Sequence, residues 1–153
     1  MHLTTYTDYS LRVLIRLALT PARLSTIAEI ADAYAISEHH LMKVVHELGL
    51  AGYIETIRGR GGGLRLARNP AEITVGEVVR RMEPDLNLVA CFRADQTCTI
   101  SAACTLTAVL GEALGAFLEV LDRYTLADLV EQPRRLSRLL KIPLDPDPST
   151  AGR

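Results

Sequence analysis

What this chain of 153 residues lacks narrows what it can be. No run of eighteen apolar residues occurs, so no membrane-spanning helix is expected. The opening MHLTTYTDYSLRVL has no basic segment leading into a continuous apolar one, so no secretory signal is expected and the chain reads as cytoplasmic. There is no HExxH and no CxxC pair, which argues against a zinc hydrolase, and no enzyme is expected. A phosphate loop of the GxxxxGK[ST] kind is absent, as is GxGxxG before a helix. No internal repeat is visible. The net charge of −1 decides nothing by itself, and 48% apolar residues suffice for the core of one domain, or of one small domain with an extension.

Charge is nevertheless unevenly placed. Residues 1–70 carry eight Lys/Arg and six Asp/Glu, whereas residues 71–153 carry nine and twelve. In the first part Arg58, Arg60, Arg65 and Arg68 fall within eleven residues without an acid among them, a local basic patch of the kind that meets phosphate.

The helical periodicity begins at once. Thr5 or Thr7 can cap a first helix through about residue 19, with Leu11, Leu14, Ile15, Ala18 and Leu19 inward and Asp8 in its first turn, where the helix dipole favours a carboxylate. Ser25 then caps a short second helix with Ile27, Ile30, Ala31 and Tyr34 on one face. Ser37 caps a third, in which Leu41, Val44, Val45 and Leu48 form the buried stripe. Two short helices joined by about three residues give a helix-turn-helix pattern. Exposed residues at the start of its second helix are Glu38, His39, His40 and Lys43, placed to reach base edges or phosphates. Adjacent histidines point to different helix faces, which argues against zinc there.

Next come two extended stretches, 53–57 and 64–67, around RGRGGG. Three successive glycines suit a hairpin tip, at which Gly61 and Gly62 take unusual backbone angles or approach another backbone closely. A hairpin after a helix-turn-helix makes a winged helix, with Arg58 and Arg60 at the tip for a minor groove or for phosphates. Thr74 caps a fourth helix that ends before Pro84. A long helical pattern runs from about 101 to 123, with Leu106, Leu110, Ala113, Phe117, Leu121 and Tyr124 in one stripe and Val109, Leu114, Leu118 and Val120 widening it. That apolar surface exceeds what one small winged helix can cover, so a homodimer is expected. Thr125 caps a last short helix, stopped by Pro133, and 143–153 reads as a disordered tail.

All three cysteines, Cys91, Cys98 and Cys104, fall within fourteen residues between the fourth helix and the long one. An odd count without secretory marks disfavours a disulfide. Buried free thiols remain one reading. A metal centre, iron–sulfur or zinc, is the other, and both usually take four ligands, leaving one to be found.

The opening LTTYTDYSLRVLIRLAL, the wing YIETIRGRGGGLRLAR, the segment ITVGEVVRRMEP and the cysteine trio together resemble the Rrf-two family of winged-helix regulators. The closing YTLADLV and the opening TDY look most like its nitric-oxide-sensing repressors. The resemblance covers residues 1 to about 140. It implies a mostly α fold with a small β wing and a long C-terminal dimerisation helix. It also implies an iron–sulfur cluster, 4Fe–4S rather than 2Fe–2S, on Cys91, Cys98 and Cys104, with Asp8 of the partner subunit as fourth ligand. The IscR-like branch, which senses cluster supply, has a ligating histidine three residues after the third cysteine; here that position is Thr107. The expected organisation is a DNA-binding region, 1–83, a cluster loop, 84–104, and a dimerisation helix with a C-terminal helix, 105–142. The expected function is that of a repressor which releases a palindromic operator when nitric oxide attacks the cluster. A regulator of the same family reading cluster supply or redox state is the alternative.

Overall fold

α1 (Thr5–Leu19) is the central helix of the protein, seen in a computed structural model that describes residues 2–93, 98–100 and 103–144. α2 (Ile27–Tyr34), α3 (Glu38–Leu50), α4 (Val75–Met82) and α6 (Leu126–Leu129) all pack on it. Because neighbours surround it, its buried arc is broad and differs from the simple stripe expected. Val13 and Leu17 join Leu14, Ala18 and Leu19 inside, while Leu11 and Ile15 stay half-buried. The α2, α3 and α4 stripes fall where periodicity puts them: Ile30 and Ala31; Leu41, Val44, Val45 and Leu48; Val75, Val78, Val79 and Met82 are buried.

Two caps differ from the sequence expectation. Thr4, not Thr5 or Thr7, caps α1, its hydroxyl accepting from the Thr7 amide at 3.3 Å. Thr26, not Ser25, caps α2, in a capping box with Glu29. Ser25 is instead held by the wing: its amide donates to the Leu64 carbonyl (3.0 Å) and its carbonyl accepts from the Leu64 amide (2.8 Å). Ser37, Thr74 and Thr125 cap α3, α4 and α6 as expected.

The wing is an antiparallel pair, β1 (Ile54–Ile57) and β2 (Gly63–Leu66), in the register Ile54 opposite Leu66 to Ile57 opposite Gly63. Mostly α with a two-stranded wing, the fold is a winged helix.

α5 (Leu106–Asp122) starts later than the 101 expected and is unlike the other long helices, since none of its residues is buried. Leu106 is 54% and Val109 58% exposed. α7 (Pro133–Leu140) is an element the sequence reading missed. The proline expected to stop a helix there instead opens one, because at the first position its missing N–H would have had no partner anyway. The tail expected at 143–153 lies, from 145 on, outside the described residues.

Candidate nucleic-acid interface and cysteine loop

The start of α3 is built by Ser37, whose hydroxyl accepts from the His40 amide at 3.3 Å. This fixes the first turn and leaves Glu38, His39, His40 and Lys43 all exposed on it. Glu38 complements the positive end of the helix dipole. α3 is pinned from behind by Tyr6 of α1, whose phenol donates to the Lys43 carbonyl at 3.2 Å. Burial, then the nearby Glu47 carboxylate, pushes the Tyr6 phenol above its ordinary pKa, so it stays a donor. Sequence reasoning missed Tyr6, because nothing local links residues 37 positions apart.

The wing tip, residues 58–62, is tightly folded. Gly59 and Gly61 take φ of +102° and +77°, conformations that side chains disfavour. The Gly62 amide donates to the Gly59 carbonyl at 3.0 Å. A Cβ on Gly62 would collide with the Ile57 carbonyl oxygen and come within 2.9 Å of that of Gly59. The tip therefore holds Arg58 and Arg60 exposed on a constrained loop. The rest of the expected basic patch is engaged with acids: Arg65 pairs with Glu55 across the wing, and Arg68 pairs with Glu77 of α4 at 2.7 Å. The two arginines of the tip are thus the part of that patch left for an external anion.

Cys91 lies in a short 3₁₀ turn, Ala90–Phe92, and Cys104 lies two residues before α5. Both are half-buried, Cys98 is exposed, and all three are free thiols. The Thr107 hydroxyl, on the first turn of α5, lies 3.4 Å from Cys91 Sγ and donates to it. This contact was not visible in the sequence. Among the described residues no three His, Cys, Asp or Glu side chains are gathered as a metal site. Positions 94–97 and 101–102 of the loop lie outside the described residues.

Asp8 lies on α1 with its side chain 46% exposed, and its carboxylate accepts from Arg12 Nε at 2.9 Å. Arg12 in turn sits 5.7 Å over the ring of Tyr34, whose burial pushes its phenol up to about 12. Asp8 is therefore reachable from outside its own chain while being oriented from within it. Arg12 was missed as its partner, although the spacing of four residues on a helix was the available signal. The donor set suits an iron–sulfur group: three unpaired thiols on one loop, a hydroxyl directed at one of them, and an oriented carboxylate reachable from outside.

Two joints link α5, which follows this loop, to the helices of the winged helix. At the far end of α5, Asp122 receives both terminal nitrogens of Arg80 on α4, at 2.6 Å each. That hydrogen-bonded pairing holds the Asp122 carboxyl below its ordinary pKa. Gly76 of α4 faces the same carboxylate so closely that a Cβ there would have to displace it. The Val75 amide donates to the Tyr124 carbonyl at 2.8 Å. At the other joint, Glu83, just past α4, accepts from the Thr4 amide at 2.7 Å, so the end of α4 holds the start of the helix that carries Asp8.

With this geometry in view, likeness to known proteins becomes informative. The Rrf2 family profile, described as "Iron-dependent Transcriptional regulator", matches residues 3–132. The chain belongs to the Rrf2 family. It is 57% identical over 144 residues to the HTH-type transcriptional regulator NsrR of Bacillus subtilis, covering 93% of this chain and 99% of that one. Among solved structures, IscR of T. potens superposes with a TM-score of 0.70 at 26% identity, covering 86% of this chain and 87% of that one. CymR of B. subtilis, titled the global cysteine regulator, superposes with a TM-score of 0.69 at 29% identity, covering 84% and 95%. This Rrf2 chain is accordingly a DNA-binding transcriptional regulator and not an enzyme. No helix of the described residues is long and apolar enough to cross a membrane.

Proposed function

We propose that this Rrf2 protein is a homodimeric repressor that holds an iron–sulfur cluster, 4Fe–4S in preference to 2Fe–2S, and releases its operator in response to nitric oxide. The observation that carries this reading is the position of three free thiols immediately before an apolar helix with no buried residue. A sensing loop and an uncovered dimerisation surface are thereby continuous in one element. The likeness to NsrR over nearly the whole chain supports it. In this reading Cys91, Cys98 and Cys104 hold the cluster with Asp8 of the partner subunit. Ser37, Glu38, His39, His40, Lys43, Arg58, Arg60, Gly61 and Gly62 form the DNA contact. Residues 1–83 are the reader, 84–104 the sensing loop and 105–142 the dimerisation part.

The chain's own residues perform most of the work. Thr107 orients the Cys91 thiol, and Arg12 orients the Asp8 carboxylate. A carboxylate is a harder and weaker ligand for iron than a thiolate, so the bound group supplies one labile corner open to a small molecule. Gathered thiols fix the start of α5, and the Arg80–Asp122 pair transmits that placement to α4. α4 holds the start of α1 through Glu83, and α1 holds α3 through Tyr6. The separation of two recognition helices, about 34–36 Å for half-sites one turn apart, thereby depends on the sensing loop. The alternative input, cluster supply, lacks the histidine of the IscR-like branch, since position 107 is threonine.

The test is anaerobic purification followed by iron, acid-labile sulfide and absorption measurements, then nitric oxide titration with operator binding read on the same sample. Brown protein that loses both its spectrum and its operator together is the expected result. Colourless or zinc-loaded protein that still responds to the gas would overturn the proposal.

A further inference from the structure

The described residues contain five ion pairs, and they engage Arg12, Arg23, Arg65, Arg68 and Arg80. Arg16 is buried and donates to the Thr20 hydroxyl. Among the described residues, cations outside these pairs concentrate in two places. One is the wing tip, with Arg58 and Arg60. The other is α7, with Arg134, Arg135 and Arg138, followed by Lys141 at its C-cap. Arg134, Arg138 and Lys141 follow one another at four and three residues, so they lie along one face, and all are exposed. The opposite face turns inward, with Ser137 buried and Leu136 and Leu140 half-buried.

Fold stability does not account for this arrangement. Arg134 and Arg135 occupy the first turn of α7, the positive end of the helix dipole, where acids are favoured and cations are not. Gln132 provides no side-chain cap to that turn. Like charges three and four residues apart on a helix repel. Arg135 shares a cleft with Asp128 and Glu131, yet it pairs with neither among the described residues, and Asp128 is spent on the Thr125 amide. A helix with such charges gains from an anion brought by something else.

Its position identifies the anion. Leu139, Leu140 and Lys141 share a cleft with Arg16 and Arg23 and with Glu29, Asp32 and Ala33 of α2, so the end of α7 stands beside α2. α2 is the leading helix of the helix-turn-helix, the one that crosses the DNA backbone when the second helix enters the groove. Over the roughly 10 Å between Arg134 and Lys141 a duplex presents about six phosphates.

We propose that α7 is a second, sequence-independent DNA contact, in which Arg134, Arg138 and Lys141, flanked by Arg135, hold backbone phosphates beyond those reached by α3 and the wing. This rests on the DNA-binding reading and extends it to a longer footprint. An anionic bilayer fits less well, because the apolar side of α7 faces the protein and only Leu139 is largely exposed.

The experiment uses the anaerobically purified full chain and an operator duplex selected from a random library by the protein itself. One version ends at the operator edges and the other carries about one extra turn on each side. The unsubstituted protein is expected to bind the extended duplex more tightly and with a steeper salt dependence. R134Q/R138Q should lose that difference, its salt slope on the extended duplex falling by about 0.9 for each contact removed, while binding to the short duplex stays unchanged. R134K/R138K should retain the difference, and equal melting temperatures would show that all three proteins are folded. Unchanged slopes on both duplexes, or an equal loss on both, would overturn the proposal. If slopes are unchanged but R134Q/R138Q no longer binds polyglutamate that the parent binds, α7 belongs to an acidic protein partner instead. Failure of the unsubstituted protein to bind either duplex would sink the DNA-binding reading itself, a separate outcome.

Discussion

Replacing Gly62 by alanine tests the wing with one methyl group. The added Cβ would collide with the Ile57 carbonyl oxygen, sit 2.9 Å from the Gly59 carbonyl oxygen and 3.2 Å from the Arg58 carbonyl carbon. All three neighbours are backbone, so no rotamer change relieves the clash. Overpacking of this kind costs about 1–3 kcal/mol. The stiffer unfolded chain returns roughly 0.4–1 kcal/mol. The net, roughly 0–2.6 kcal/mol and centred near 1.3, disfavours the native tip. A hairpin of two four-residue strands can open at its end while the helical core stays packed. The melting temperature should therefore fall by only a few degrees, at about 2–4 °C per kcal/mol for a chain of this size. DNA binding should suffer more. Two tips must be re-formed in a dimer, roughly 2.6 kcal/mol together at the centre of that range, which weakens binding about eightyfold. If Arg58 and Arg60 lose their phosphates in both protomers, the salt slope drops by up to ~3.6. Fluorescence anisotropy across a salt series reads both quantities. Gly49→Ala is the control, since nothing lies within 4 Å of its added Cβ. It should keep operator affinity and gain about 0.5–1 kcal/mol of helix stability. A Gly62→Ala protein with the parent's affinity and salt slope would refute the reasoning.

Other perturbations separate the remaining parts of the argument. Val109→Glu places a charge on the exposed apolar face of α5 and should yield monomers by sedimentation with operator affinity lost; an intact dimer would move the interface elsewhere. Gly76→Ala pushes a methyl group into the Asp122 carboxylate, so operator release by nitric oxide should weaken while cluster content is kept; full coupling would show that this joint transmits nothing. Partial burial works to raise the Glu29 pKa, but the Thr26 amide and the Arg23 and Arg16 guanidiniums outweigh it and hold the carboxyl low. A carboxylate with a lowered folded pKa adds stability above its unfolded pKa, about 4.3, and loses it as pH falls through the folded value. Glu29→Gln should then melt below the parent at pH 7, with the gap closing below about pH 4; a constant gap would contradict the assignment.

How far the sequence could be read depended on the range of each contact. Ser37, Thr74 and Thr125 cap their helices through a hydroxyl and an amide three residues on, a local pattern the eye can find. The two misplaced caps were decided at a distance. Thr4 stands among several threonines, and Glu83, 79 residues away, receives its amide. Ser25 was a plausible cap until Leu64 of the wing claimed its backbone. In the site, the cysteine loop was legible because three thiols crowd fourteen positions. The hydroxyl aimed at Cys91 was not, since a threonine sixteen residues away carries no signal by itself. In the basic patch, Arg58 and Arg60 were legible as the tip, whereas the pairing of Arg65 and Arg68 with acids shows only in the structure.

The length of α5 sets what it needs from its surroundings. Seventeen residues make a helix of about 25 Å, and an isolated helix of that length is only marginally stable in water. Its stability must come from packing, yet among the described residues Leu110, Leu114, Phe117, Leu118 and Leu121 are only half-buried and Leu106 and Val109 are exposed. In the proposed dimer a second copy would supply packing along the whole stripe at once, because a two-fold interface presents the same face to itself. The cysteine loop feeds into the start of that same helix, so whatever gathers the thiols also sets how the two copies meet. On the proposed function, a carboxylate offered from the partner's α1 would have a physical role beyond ligation: it would make sensing a property of the pair, since a single protomer could neither complete the site nor span two half-sites.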